Sequence, residues 1–300
     1  MQNALPIRHR RQTERWSHRA ESSPRQAETD GLTGLAQRNR ALEEQLAALR
    51  REHDGLRGAM FEAAQVQRKL CGPRHVRRAS FELAREIFPV RHVSGDFISV
   101  FDLGSDLVFA IGDIAGKGLY AGMWFAHIVS MLRSQVGVSG DPAAALCAIN
   151  QDLLHTSPEA PLTTLFLARL EVNSGEVTYS NAGHPAALLL REGGELEGLS
   201  EGGPLLGVVD DAPYVSGRVT LQPGDTLLGY SDGVAECRNP SGADFGVERL
   251  EAAARLSHAA SANALLFSVL GAAEDFAAGY PREDDMALIV LRRELERTDC

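Results

Sequence analysis

Residues 94–118 read SGDFISVFDLGSDLVFAIGDIAGKG and contain the most informative local pattern in the chain. Two apolar runs, 97–101 and 107–111, flank the segment Leu103-Gly104-Ser105-Asp106, in which Gly-Ser suits a two-residue turn. The sequence therefore predicts a hairpin in which the numbers of paired residues add to 209. Because this register places apolar side chains on both faces of the ribbon, we expect the hairpin to lie between two layers.

The same register places two carboxylates opposite each other at the open end of the hairpin. Asp96 and Asp113 also add to 209, and like charges that face each other are destabilising unless something neutralises them. Two explanations remain open on spacing alone. Each aspartate could be an ordinary turn or capping residue, or the pair could bind a metal ion.

Further acids follow or precede other predicted strands. Asp232 follows the apolar strand 226–230, and Asp284-Asp285 comes directly before the strand 286–291. If these two strands are antiparallel neighbours, their acids lie at one end of the sheet. Carboxylates gathered in this way form an oxygen-rich site that suits Mg²⁺ or Mn²⁺.

The elements around the hairpin predict an α+β protein. Strands joined by hairpins and helices grouped in pairs favour layers of helix and antiparallel sheet over a parallel βαβ fold. Helices are predicted at 119–135, 141–154, 247–257 and 262–273. Strands are predicted at 164–172, 176–180, 187–191, 217–221, 226–230 and 286–291.

The N-terminal part of the chain has a leucine repeat. Leu35, Leu42, Leu49 and Leu56 recur every seven residues, and Leu46 and Met60 lie on intervening positions of the same heptad. This is the pattern of a coiled-coil seam. The alternative is an amphipathic helix packed on its own domain. We predict a disordered leader at 1–30, a coiled-coil or linker helix at 31–71 that forms a homodimer, and a catalytic domain at 72–295.

Charge and composition exclude several classes of protein. Residues 1–78 carry a net charge of +7 and residues 79–300 a net charge of −17, so nucleic acid is not the expected partner. The longest apolar stretch is too short to span a membrane, and the Arg-rich start is not a secretory signal. The four cysteines form no CxxC pair, and we expect a cytoplasmic protein.

Five motifs occur in one order along the chain. They are Ser94-Gly95-Asp96-Phe97, Gly112-Asp113-Ile114-Ala115-Gly116-Lys117-Gly118, Asn181-Ala182-Gly183-His184-Pro185, Tyr230-Ser231-Asp232-Gly233-Val234-Ala235-Glu236 and Asp284-Asp285-Met286. In this series, over about residues 60–292, the chain resembles the SpoIIE-like bacterial branch of the metal-dependent type 2C serine/threonine phosphatases. One departure is Ser94, which replaces the first glycine of a common Gly-Gly-Asp motif.

The resemblance implies a fold, a metal centre and a reaction. The fold is a four-layer α-β-β-α sandwich of two antiparallel sheets, and the centre holds two Mn²⁺ or Mg²⁺ ions that activate a water for attack on phosphorus. The implied metal ligands are Asp96, Asp113 as the bridging ligand, the Ile114 carbonyl, Asp232 and Asp284, with Asp113 and Asp232 as the catalytic residues. Asp285 is a weaker candidate for a metal ligand than Asp284. Lys117 either approaches the substrate phosphate or faces solvent.

The implied substrate is a phosphoserine or phosphothreonine on an anti-sigma-factor antagonist. Two alternatives remain. One is a phosphatase-like scaffold that only binds a partner. The other is a serine hydrolase, because Gly229 to Gly233 matches G-x-S-x-G with Ser231 as the nucleophile, although only His258 follows it in the chain.

Overall fold

The computed structural model describes residues 24–157 and 159–295. The chain divides into two compact units, residues 1–56 and residues 57–300. Of the leader predicted at 1–30, residues 1–23 lie outside the described residues. A helix begins at Pro24, whereas the sequence predicted its start at residue 31. Proline is common in the first turn of a helix, because its missing N–H would have no partner there. The other domain limits stay predictions.

The strands are β1 His75–Arg78, β2 Phe81–Phe88, β3 Asp96–Asp102, β4 Asp106–Ile114, β5 Thr163–Glu171, β6 Glu176–Ala182, β7 Ala187–Leu190, β8 Leu196–Leu199, β9 Gly202–Gly203, β10 Gly217–Thr220, β11 Thr226–Tyr230 and β12 Met286–Arg293. The helices are α1 Pro24–Leu70, α2 Leu119–Ser139, α3 Pro142–Thr156, α4 Asp232–Ala235, α5 Gly246–Leu256 and α6 Ala262–Ala277.

The strands form two sheets. One has the order β1-β2-β12-β11-β7-β8 and the other the order β10-β6-β5-β4-β3, and the neighbours in both are antiparallel. Three apolar clusters separate the layers: one lies between β3–β5 and the pair α2/α3, one between the sheets, and one between the other sheet and α5/α6. The predicted α-β-β-α sandwich is therefore confirmed.

The hairpin β3–β4 has the predicted register. Phe101 pairs with Val108 and Ile98 with Ile111. Phe97 belongs to the cluster under the helices, whereas Ile98 belongs to the cluster between the sheets, so both faces of the ribbon are covered. Both side chains are fully buried, which stabilises the fold by about 2 kcal/mol each.

Strand β2 was not among the predicted strands, although it pairs with both β1 and β12. Its charged residues hide its apolar pattern, because Glu82 and Arg85 are both buried within the strand. Glu82 accepts hydrogen bonds from the His75 ring and from the Ala262 backbone N–H, and Arg85 donates to the carbonyl oxygens of Gly72 and Pro73. Satisfied partners of this kind allow charged side chains in a buried strand.

The leucine repeat lies along the exposed surface of α1. Leu35, Leu42, Leu49 and Leu56 are each 60% exposed or more in this single chain. The coiled coil itself and the homodimer stay predictions.

Within the described ranges, every helix is either too short or too polar to cross a lipid bilayer.

Candidate metal centre

Two opposed carboxylates stand at the open end of the β3–β4 hairpin, as the register predicts. Asp96 is the first residue of β3 and pairs with Asp113 near the end of β4. Burial differs between the two, because Asp96 is only 3% exposed whereas Asp113 is partly exposed. A third carboxylate comes from the other sheet. Asp232 follows β11 and begins the short helix α4.

The three carboxylates Asp96, Asp113 and Asp232 converge. Each offers one oxygen, and these oxygens all lie within 4.8 Å of one another. The approach of Asp232 depends on Gly233, because a Cβ there would overlap the carbonyl oxygen of Asp285 just before β12. The strands β11 and β12 are antiparallel neighbours, so the condition set by the sequence is met, and the loops that leave β11 and enter β12 meet at one end.

Crowding and burial act on the protonation of two of these acids. Burial raises the pKa of Asp96 well above its usual value, and the charges of Asp113, Asp285 and Asp232 raise it further, while the Ser231 hydroxyl lowers it. The pKa of Asp113 is raised to about 6, first by burial and then by the charges of Asp232 and Asp284. In the part of the chain that the structure describes, no Lys, Arg or His forms an ion pair with the three acids.

The groups at this edge fit a divalent cation. Asp96 Oδ2 is buried without a hydrogen-bond partner, which is costly unless something else binds it. A Cβ at Gly95 would come within 3.0 Å of both Asp113 Oδ1 and the Ile114 carbonyl oxygen, so the backbone of Gly95 lies close to these oxygens. Carboxylate and carbonyl oxygens are the ligands that Mg²⁺ and Mn²⁺ prefer.

The structure treats the two consecutive acids Asp284 and Asp285 differently. Asp284 lies outside the group of three; one of its oxygens accepts the Asp285 backbone N–H, and its charge acts on Asp113. Asp285 instead accepts hydrogen bonds from the Val90 N–H at 2.6 Å, the Ser94 hydroxyl at 2.7 Å and the Gly95 N–H at 3.0 Å. Its oxygens are therefore engaged in the protein.

A cavity of about 150 Å³ opens beside Asp113. Its lining includes Ile114, the acids Glu283, Asp284 and Asp285, and two exposed cations, Lys117 and Arg91. Arg91 was not among the predicted site residues. It stands five residues before Asp96 in a loop, where sequence periodicity carries no information about side-chain direction.

Two further side chains support Asp113 from behind, and sequence reasoning assigned neither a place there. Thr164, which pairs with Asp113 across β4 and β5, accepts the Asp113 backbone N–H at 3.3 Å. The Thr164 hydroxyl lies 2.9 Å from His184 Nδ1. Burial lowers the pKa of His184 to about 3, so the ring is neutral at pH 7, and its tautomer sets which of the two groups donates. His184 therefore supports Thr164 and is not itself placed among the three acids.

Ser231 lacks the surroundings of a nucleophile. It is fully buried, and its Oγ accepts the Ala287 backbone N–H at 2.9 Å. His258, the only histidine after it in the chain, has its Nδ1 3.8 Å from Glu192 instead. The serine hydrolase alternative therefore has no support in the structure.

Two facing antiparallel sheets, helices on both outer faces and a carboxylate cluster at one edge define the class of PP2C-type phosphatase domains. The solved SiaA-PP2C domain of Pseudomonas aeruginosa shows the same fold, with a TM-score of 0.70 and 18% identity, over 80% of this chain and 98% of that one. The chain belongs to the SpoIIE family: residues 104–294 match Stage II sporulation protein E (SpoIIE).

Two named relatives are similar to this chain in sequence. Phosphoserine phosphatase RsbU of Bacillus subtilis is 27% identical over 254 residues, which is 81% of this chain and 75% of that protein. Protein IcfG of Synechocystis is 31% identical over 190 residues, which is 54% of this chain. The match spans only 30% of the length of Protein IcfG.

Proposed function

We propose that this chain is a metal-dependent phosphatase that hydrolyses phosphoserine or phosphothreonine on a regulatory protein. The observation that carries the proposal is the convergence of Asp96, Asp113 and Asp232 within 4.8 Å, without a protein cation among the described residues to neutralise them. Family membership and the relative named phosphoserine phosphatase RsbU support the same reaction.

In this proposal two Mn²⁺ or Mg²⁺ ions occupy the acidic edge. Asp113, which pairs with Asp96 and is near Asp232, would be the shared ligand that the resemblance implies, and the Ile114 carbonyl would add a neutral ligand. Four aspartates balance the charge of two divalent ions. When bound, the ions supply an activated water and neutralise charge on the phosphoryl group.

The residues of the chain hold and orient the substrate in the proposed reaction. The cavity of about 150 Å³ has room for a phosphate group, and Arg91 and Lys117 at its rim attract the dianion. Buried Asp96 stays fixed because it belongs to β3, and the Thr164 hydroxyl fixes the backbone of Asp113. Preorganised groups of this kind orient phosphorus for in-line attack without further rearrangement.

The proposed substrate is a phosphorylated anti-sigma-factor antagonist. The support is the resemblance in sequence motifs, together with a relative named RsbU and a solved structure of RsbU and RsbW domains of Rv1364c from Mycobacterium tuberculosis that is 25% identical. The alternative, a scaffold that binds its partner without hydrolysis, keeps the fold but needs no metal. A cytoplasmic location stays a prediction.

One assay separates these functions. We expect purified protein to hydrolyse p-nitrophenyl phosphate and a phosphoserine protein with Mn²⁺ and to stop in EDTA. Asp113→Asn should be inactive, and Ser231→Ala should keep metal-dependent turnover. Turnover that survives EDTA and Asp113→Asn would disprove the phosphatase proposal, and absence of turnover with either metal would favour the scaffold.

A further inference from the structure

We propose that Gln67 and Asp285 are positioning residues that hold the segment Ser94–Asp96, and through it the metal ligand Asp96, in the geometry that binds a cation. This inference rests on the proposed function. Neither side chain needs to touch the metal. Both act on the backbone immediately before Asp96.

Gln67 holds Ser94 through both of its amide atoms. Its Nε2 donates to the Ser94 carbonyl oxygen at 2.8 Å, and its Oε1 accepts the Ser94 backbone N–H at 3.1 Å. Gln67 is only 9% exposed and lies in the last turn of α1. The side chain thus pairs with Ser94 as a neighbouring strand would, and it leaves that residue no unpaired backbone group.

Asp285 holds the same segment through a second set of contacts. Its two oxygens accept the Val90 N–H, the Ser94 hydroxyl and the Gly95 N–H. These donors lie at least 190 residues away in the sequence, so one carboxylate fixes the loop before β3 to the start of β12. An ionised carboxylate with several donors makes strong hydrogen bonds, which suits a fixed support.

The held segment determines where the ligand oxygens lie. Gly95 approaches Asp113 Oδ1 so closely that a Cβ would lie 3.0 Å from it. Asp96 follows directly and carries the buried Oδ2 that lacks a partner. A small shift of Ser94 would therefore move Asp96 relative to Asp113, and metal affinity depends steeply on such supports.

The chain offers matched controls for both positions. Gln65 is exposed on the same helix, two residues before Gln67, so Gln65→Met controls for Gln67→Met. Asp275 is exposed near the end of α6, so Asp275→Asn controls for the loss of one charge in Asp285→Asn. Ser94→Ala removes one hydroxyl and leaves the backbone contacts intact.

The experiment measures Mn²⁺ affinity by isothermal titration calorimetry on the full chain, with circular dichroism as the check of folding. We expect Gln67→Met and Asp285→Asn each to weaken Mn²⁺ binding by about tenfold, as loss of a support for a metal ligand does. We expect Ser94→Ala to weaken it by about threefold, since one of three contacts to Asp285 is lost. At saturating Mn²⁺ the kcat for p-nitrophenyl phosphate should return close to the wild-type value.

The outcomes distinguish this inference from the proposed function. Wild-type protein that binds no Mn²⁺ would overturn both. Wild-type binding with unchanged affinity in folded Gln67→Met and Asp285→Asn would overturn the positioning role alone, as would equal losses in the two controls. If Asp285→Asn fails to fold, Ser94→Ala tests the same contact, because unchanged Mn²⁺ affinity in Ser94→Ala would overturn the positioning role of Asp285.

Discussion

The two ends of the β3–β4 hairpin carry the same residue type in opposite circumstances. At the turn end, Asp102 lies 2.5 Å from the Arg78 guanidinium and Asp106 lies 2.7 Å from Arg169. At the open end, Asp96 and Asp113 face each other without a cation from the described chain. The partner, rather than the residue type or the strand, therefore separates a structural aspartate from one that is available to a metal ion.

The protonation of the acids shows the same contrast. The hydrogen bond and charge of Arg78 lower the pKa of Asp102. Burial and neighbouring acids raise the pKa of Asp113 to about 6. A carboxylate without a partner becomes less acidic because its charged form is disfavoured, and a bound cation would reverse that effect.

The largest expected effect concerns catalysis at the open end. We expect Asp113→Asn to lower kcat/KM for p-nitrophenyl phosphate by on the order of 10³-fold, because it removes a charge that, in the proposed function, holds the metal. Asp102→Asn, at the other end of the same hairpin, should keep wild-type kinetics. Similar losses in both variants would break the comparison.

The second effect concerns stability and Mn²⁺. At a concentration roughly 100 times Kd, a bound ion stabilises the folded state by about 2.7 kcal/mol, which raises the Tm by about 5–10 °C in a protein of this size. Differential scanning fluorimetry with and without Mn²⁺ should show this rise in the wild type and in Asp102→Asn. A comparable rise in Asp113→Asn would count against the assigned site.

The third effect concerns pH in the absence of metal. The folded pKa of Asp113 is about 6, above that of an unfolded aspartate, so the folded protein binds more protons. Its ionisation therefore costs stability as pH rises through about 6, an effect of about 2 kcal/mol once partial exposure is allowed for.

Urea denaturation in EDTA at pH 5 and pH 8 tests this sign. The wild type should lose more stability between the two pH values than Asp113→Asn does. An equal loss in the two proteins would show that Asp113 is not crowded by its neighbours.

The smallest expected effect is at the turn end. Asp102 is exposed, and its pair with Arg78 lies in solvent, so Asp102→Asn should lower the Tm by only about 1–2 °C. Because the pKa of Asp102 is lowered in the folded state, its contribution to stability is present at pH values above the pKa of an unfolded aspartate. That contribution is lost as the pH falls through the folded pKa. Thermal melts at low and high salt check this, since screening should shrink the difference between wild type and variant.

The hairpin and the pairing of its acids could be predicted from sequence because both depend only on residues that are close together in the chain. A two-residue turn fixes the register, and the register alone brings Asp96 opposite Asp113. Strand β2 was not predicted, because buried Glu82 and Arg85 depend on partners from other elements. Apolar periodicity cannot report such partners.

The candidate site shows the same division. Asp232 could be placed beside Asp284-Asp285 because it follows β11 and these acids come directly before the neighbouring strand β12. Its place beside Asp96 and Asp113 was implied by the motif series. The different positions of Asp284 and Asp285 could not be predicted, since the donors to Asp285 come from a distant loop. Neither could Gln67, which looks like any polar residue of a long helix until its contacts with Ser94 are seen.

The glycines beside the centre have a consequence for reading mutational data. Gly95 and Gly233 carry no reactive group, yet a single added methyl at either position would meet the oxygens or the backbone that arrange the acids. A saturation mutagenesis screen scored by phosphatase activity should therefore deplete substitutions strongly at Gly233, where a Cβ would overlap the Asp285 carbonyl oxygen, and less strongly at Gly95, where it would only crowd Asp113 Oδ1. Intolerance to substitution would here mark the empty space that the chemistry needs, as well as the groups that perform it.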